Sequence, residues 1–162
     1  MKHNLKHATL GLLIVIGTSF ASAQESGGEM SGGEMSGGEA AGGTSGPAAL
    51  AVSQTGDLGE FLVDAEGMTL YMFTNDTENT SNCYDDCAEA WPPVLTGGDP
   101  TLGEGLDAAL VSTTERTDGT TQVTYGGMPL YYWVKDAAPG DTTGQNVGEV
   151  WFVVSPAGEI VQ

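Results

Sequence analysis

Gly67-Met-Thr-Leu-Tyr-Met-Phe-Thr-Asn-Asp76 returns in the same chain as Gly127-Met-Pro-Leu-Tyr-Tyr-Trp-Val-Lys-Asp136. Gly, Met, Leu, Tyr and Asp recur in place, and Phe73 is answered by Trp133. Each copy reads as a glycine turn, an aromatic strand and an acidic stop. Glu66-Gly67 and Gly126-Gly127 fall between two apolar runs, where positive φ is needed, so both read as the apices of two-residue hairpins. Side chains alternate across a strand. That puts Leu70, Met72 and Thr74 on one face and Tyr71 and Phe73 on the other, and separates Leu130, Tyr132 and Val134 from Tyr131 and Trp133. Both faces are largely apolar, which predicts central strands.

The repetition extends beyond this phrase. Leu50, Val63, Trp91, Val94 and Gly98 match Leu110, Val123, Trp151, Val154 and Gly158 at the same offset of 60. Repetition over so many positions indicates duplication. Residues 50–109 and 110–162 are expected to be two β repeats that pair into one domain, sandwich- or barrel-like, since one such unit could hardly bury its own face. The strands expected are Ala49–Ser53, Phe61–Asp64, Leu70–Thr74, Trp91–Leu95, Gln122–Tyr125, Leu130–Val134 and Val150–Ser155. All are short, β-branched or aromatic, and bounded by turn residues. Asp107–Ser112 reads as one helical turn or a strand start. No window carries a helical stripe over eleven residues, so the class is all-β with little or no helix.

Upstream of position 49 the composition changes twice. Lys2 and Lys6, the apolar run Ala8–Phe20 and Ala21-Ser22-Ala23 form a secretory signal peptide over residues 1–23. Residues 24–48 hold the repeated Ser-Gly-Gly-Glu unit, with almost nothing apolar, and read as a disordered tether. Met30 and Met35 suit Cu(I), but two thioethers without a histidine are a weak copper signal. Signal removal takes both histidines, His3 and His7, and leaves Arg116 and Lys135 as the basic residues against 22 acidic ones. Such a surface repels nucleic acid and anionic lipid. It fits a soluble extracytoplasmic protein with no integral membrane segment after cleavage. The functional alternative is a binder of cations or basic partners, with weak divalent-cation binding, as an extracytoplasmic metal-binding or redox accessory protein.

The candidate chemistry is sparse. Cys83 and Cys87 in an exported chain are expected to pair with each other. Their spacing matches no zinc or haem site, and the neighbouring Asp85 and Asp86 disfavour a reactive thiolate. Asp76 and Asp136 end their strands. They either cap the following loops through backbone N–H groups or face each other as a cation site. A calcium loop beginning at Asp76 would need Gly and Glu where Ser81 and Cys87 stand. Tyr71, Phe73, Trp91, Tyr131, Trp133 and Trp151 form three equivalent aromatic pairs, read as core or, if exposed, as a stacking platform. Without histidine the Ser-His-Asp and Cys-His arrangements are impossible, so a non-catalytic role is expected, with no cofactor and no bound metal. Gly103-Glu-Gly-Leu-Asp-Ala108 lacks the strand and helix that a dinucleotide site requires.

Both phrases satisfy Y-x-[FWY]-x-x-D. Around them stand Cys83-Tyr-Asp-Asp-Cys87, Trp91-Pro-Pro, Arg116-Thr-Asp-Gly119, Pro139-Gly-Asp141 and Trp151-Phe-Val-Val-Ser-Pro156. On these residues the chain resembles the secreted-repeat family of predicted bacterial lipoproteins named for that motif, over about Val52 to Gly158. The resemblance implies export, tandem repetition, a non-catalytic default and an unassigned function; together with the composition, the role expected is binding or structural, toward an unknown envelope or extracellular ligand. The signal region departs from the lipoprotein pattern in having no lipidation cysteine, so no lipid is expected at the junction.

Overall fold

The computed structural model describes residues 46–162. The expected signal peptide, and the tether as far as residue 45, lie outside the described residues. Gly46–Ala48 are already tied to the domain: Gly97 N–H donates to Gly46 O, and Ala48 N–H donates to Thr96 Oγ1.

Eight strands follow: β1 (Ala49–Thr55), β2 (Gly59–Asp64), β3 (Tyr71–Phe73), β4 (Thr101–Leu102), β5 (Val111–Glu115), β6 (Thr121–Tyr125), β7 (Met128–Tyr131) and β8 (Trp151–Val153). One short helix, α1 (Asp86–Ala90), interrupts them. They form a three-stranded sheet in the order β2-β1-β4 and a five-stranded sheet in the order β5-β6-β7-β3-β8. The fold is thus almost entirely β, and the two sheets are not closed into a barrel. They meet along β2, where Leu62 N–H donates to Val154 O and Val63 bridges Thr69.

The two copies of the opening phrase pair with each other. In the antiparallel β3–β7 ladder Tyr71 lies opposite Tyr131, its own repeat equivalent, so the pseudo-twofold axis passes between these residues. Both strands are central, as their apolar faces predict. One face feeds Leu70, Met72 and Leu130 into a core with Leu50, Leu62, Val123, Tyr125 and Val154. The other feeds Tyr71 and Tyr131 into a second core with Phe61, Val63, Cys83, Trp91, Trp151 and Val153.

Two expectations need correction. The offset of 60 does not hold upstream of the hairpins. Leu50 opposes Asp64 in the first copy, and Val111 opposes Tyr125 in the second, an offset of 61 on both strands. The cause is the turn. Gly126 and Gly127, at φ 59 and 81, make the two-residue turn between Tyr125 and Met128, as expected. In the first copy Asp64 N–H bonds Met68 O across three residues, with Gly67 at φ 85. The extra residue shifts everything before it by one. Val63 and Val123, identical in the sequence comparison, therefore face different cores, because one residue of slip exchanges the faces of a strand.

The second correction concerns Trp91–Leu95, which is no strand. It occupies the place that β8 holds in the other copy, since Pro93 bridges Tyr131 just as Val153 pairs with Tyr71. Pro92 and Pro93 have no N–H to donate, so the ladder reduces to isolated bridges at Pro93 and Leu95. Two elements escaped the sequence reading. β4 is a two-residue strand parallel to β1, and α1 is a five-residue helix too short for any periodic stripe. The Asp107–Ser112 segment resolves into a turn, Leu110 N–H to Asp107 O, leading into β5.

The hairpins set the register, so their glycines can be tested. A Cβ at Gly126 would meet Gly158 O at 3.0 Å in a left-handed backbone. Gly126→Ala is expected to destabilise the domain by about 1–2 kcal/mol. Gly56→Ala, which meets nothing within 4 Å, serves as the control and should stay within about 1 kcal/mol of the parent. Urea unfolding of the two variants beside the parent measures both.

Candidate functional site

The repeated motif residues assemble into one buried cluster on the pseudo-twofold axis. Each strand-ending aspartate bonds the tyrosine of the other copy. Tyr131 O–H donates to Asp76 Oδ2 at 2.6 Å, and Tyr71 O–H donates to Asp136 Oδ2 at 2.6 Å. Both carboxylates are buried, at 6% and 7% exposure. Their second oxygens do what the sequence suggested and hold the following loops. Asp76 Oδ1 accepts Asn82 N–H at 2.7 Å, and Asp136 Oδ1 accepts both the N–H and the hydroxyl of Thr143. The crossed bonds were not foreseen. Sequence alternation gave the face of Tyr71 and Tyr131, but not that antiparallel pairing at their own positions carries each phenol across to the other repeat.

Burial shapes the electrostatics. It pushes both phenols well above their ordinary value of 10.0, and the carboxylate beside each adds to the effect. Burial likewise raises Asp76, against the lowering by the Tyr131 hydroxyl, the Asn82 N–H and the charge of Arg116.

Beside the phenols runs a stack of rings. Phe73 lies on Trp151 at 4.2 Å, Trp151 on Trp91 at 3.9 Å, and Trp91 on Trp133 at 4.0 Å between centroids. Trp91 and Trp151 are parallel to 3° and buried. Tyr71 meets Trp91 edge-on, and Tyr131 meets Trp151 in the same way. The outer rings, Phe73 and Trp133, are half-buried, and Lys135 Nζ stands 5.3 Å from the Trp133 ring centroid. All six repeated aromatics are therefore in or against the second core, and none forms an open platform.

The loops after the aspartates differ. In the first copy Cys83 and Cys87 are joined as a disulfide, with Cys87 inside α1. Arg116 reaches beneath this loop with its side chain only 1% exposed. It donates to Ser81 Oγ, Gln122 Oε1 and Cys83 O at 2.7–2.8 Å, reaches Asp118 at 3.3 Å, and lies over the Tyr84 ring. Ser81 in turn bonds the Tyr131 hydroxyl. Sequence reasoning gave Arg116 no role. Its signal was its rarity, as the one arginine of the chain.

In the second copy no disulfide or arginine braces the loop. Gly144 N–H donates to the Tyr71 hydroxyl instead, and a Cβ there would meet Tyr71 and Trp91 atoms at 2.8 Å. Beyond it Leu58, Gln145, Asn146, Glu149, Phe152 and Gln162 line a cleft of about 470 Å³. Asn146 and Glu149 hold φ of 58° and 60°, a region that non-glycine residues seldom occupy. Among the described residues no group of three or more His, Cys, Asp or Glu is placed to hold a metal ion, so the divalent-cation alternative gains no site. Met30 and Met35 lie outside the described residues. No helix among those residues is long and apolar enough to cross a membrane.

Comparison with known proteins agrees with the duplication. A family described as a secreted repeat of unknown function matches residues 52–95 and again 112–155. The chain belongs to this family of secreted repeats. No curated protein and no solved structure matches it.

The crossed bonds predict a specific pattern of coupling. Tyr71→Phe or Tyr131→Phe should each cost about 1–3 kcal/mol, because a buried carboxylate loses a donor. In double-mutant cycles Tyr71→Phe should couple to Asp136→Asn and not to Asp76→Asn, and Tyr131→Phe the reverse. Chemical denaturation of the single and double variants measures the cycle. The same phenols predict an alkaline limit. Each holds its proton more tightly folded than unfolded, so its contribution is complete below pH 10.0 and lost as pH rises beyond it. Thermal melts should show stability falling above that pH, with a shallower fall in Tyr71→Phe and Tyr131→Phe.

Proposed function

We propose that this is a non-catalytic extracytoplasmic domain whose repeated motif builds the fold and whose ligand contact is made by the Gln145–Glu149 loop of the second copy, which the Gln145 side chain anchors to Val153 N–H and Val161 O. One observation carries the reading. Every polar atom of the motif, on Tyr71, Tyr131, Asp76 and Asp136, is bonded within the domain and buried, leaving none to meet a substrate. The Gln145–Glu149 loop joins an open cleft, lined in part by Phe152, to exposed Asn146 and Glu149 side chains and two left-handed residues; the first loop has left-handed Asn79 and Asp85, so the cleft is what distinguishes the second. Strain and exposure together are typical of binding loops held by a rigid scaffold. The family's secreted character and the acidic composition favour a partner in the envelope or outside the cell. A neutral or cationic polymer suits such a surface better than an anionic one.

Loop variants separate the two roles. Asn146→Gly and Glu149→Gly remove about 1–2 kcal/mol of left-handed strain against about 0.5–1 kcal/mol of added chain entropy, so stability should hold or rise by up to about 1 kcal/mol. Binding to sedimented cell-wall polymer, read as depletion of the protein from the supernatant, should fall in the same variants. Asp76→Asn, which acts on the loop of the first copy, should lower the melting temperature and leave depletion intact. Loss of depletion in Asp76→Asn at a temperature where that variant is folded, with none in the loop variants, would overturn the assignment.

A further inference from the structure

We propose that the ring stack and the two phenol–carboxylate pairs form a one-electron oxidation site that draws an oxidising equivalent from the surface and holds it as a buried tyrosyl radical. The chain has 3 tryptophans, Trp91, Trp133 and Trp151, and all of them lie in this one stack. Burial of apolar area explains why they are inside. It does not explain why each buried indole also carries, at its edge, a phenol whose proton has a carboxylate acceptor at 2.6 Å. Indole and phenol are the side chains most readily oxidised by one electron after the thiolate, and the cysteines here are already paired. Proton transfer needs donor and acceptor within hydrogen-bond reach, a condition both pairs meet.

The geometry sets a direction. Trp133 is the half-buried outer indole, and an oxygen-centred or metal-centred one-electron oxidant arriving there takes one electron and is reduced by one. Trp91 refills Trp133, and the positive hole is shared across the parallel Trp91–Trp151 pair. The cation of Lys135 beside Trp133 makes that indole the hardest of the three to keep oxidised, so a hole entering there moves on inward, toward the carboxylates of Asp76 and Asp136. Tyr71 then gives one electron to Trp91, and its phenolic proton passes to Asp136 Oδ2. The products are a neutral indole stack, a neutral tyrosyl radical and a protonated Asp136. Tyr131, Trp151 and Asp76 repeat the same arrangement on the other side of the axis. An external one-electron donor reverses the sequence, with the proton returning from the carboxyl to the phenol.

Flash oxidation of the full chain with photogenerated tris(bipyridine)ruthenium(III) tests this. The parent should show an indole radical that decays as a tyrosyl radical grows in, and deuterium oxide should slow that conversion. In the Tyr71→Phe/Tyr131→Phe variant the indole radical should live several-fold longer and the tyrosyl yield should fall several-fold, to what Tyr84, Tyr125 and Tyr132 supply. If that variant fails to fold, Trp133→Phe, which alters a half-buried outer ring, should slow the initial oxidation several-fold and cut the tyrosyl yield. A tyrosyl signal of undiminished rate and yield in Trp133→Phe would overturn the proposal. So would an indole radical in the parent that decays without forming any tyrosyl.

Discussion

Two buried carboxylates need donors, and each finds its phenol in the other repeat. Leaving a buried ionised group short of a partner is expensive, so neither Asp76 nor Asp136 is comfortable until both copies have folded against each other. A half-molecule would expose Tyr131 or Tyr71 and strand the opposite aspartate. The crossed bonds therefore require two copies of the repeat to fold against each other: they act across the axis, while the loop bonds to Asn82 and Thr143 act within each copy. Strand pairing places the phenols and ring stacking fills the space beside them. The five-stranded sheet is built around this one contact, with β3 and β7 at its centre.

Symmetry at the axis and asymmetry away from it follow from how much each position is constrained. Tyr71 and Tyr131 are opposite each other and fully buried, so a change in one is felt by the other. The hairpin at Gly67 tolerates one more residue than the hairpin at Gly127 because β2 pairs mainly with β1, whose register shifts along with it. The slip is absorbed as a unit. Both copies keep an apolar residue, Leu62 in one and Val123 in the other, whose N–H bonds Val154 O and Val94 O. Prolines 92 and 93 show the same tolerance, removing ladder bonds at a place where Trp91 is already fixed by rings on both faces.

The parts that could be read from sequence were those governed by local alternation and repetition. The faces of Leu70–Phe73, the glycine hairpins, the Cys83–Cys87 bridge and the loop-holding role of Asp76 and Asp136 all depend on a few adjacent residues. What could not be read depends on which strand lies beside which. The partner of the Asp76 carboxylate sits at position 131, and the partners of Arg116 at 81, 83 and 122, and nothing in a single chain ranks those pairs above others. Repetition also misled in one respect. Identity at a fixed offset linked Val63 to Val123, although a turn of different length had moved their strands out of step.

The contrast between the two loops bears on why duplication was kept. Both leave from the same aspartate geometry, and both must cover the same aromatic pair. The first is fastened by a disulfide, a buried guanidinium and a short helix, which remove freedom from residues 81–90. The second has Gly144 packed against Tyr71 and Trp91, where no side chain fits, and then residues held in left-handed conformations around a cleft. Gln145 then ties the second loop to the core, its side chain accepting Val153 N–H and donating to Val161 O. Both loops hold left-handed non-glycine residues, Asn79 and Asp85 in the first and Asn146 and Glu149 in the second, so the cleft and not the backbone conformation sets them apart. The two copies secure the same aromatic pair by different means, a disulfide and a guanidinium in one, a glycine contact and a side-chain amide in the other.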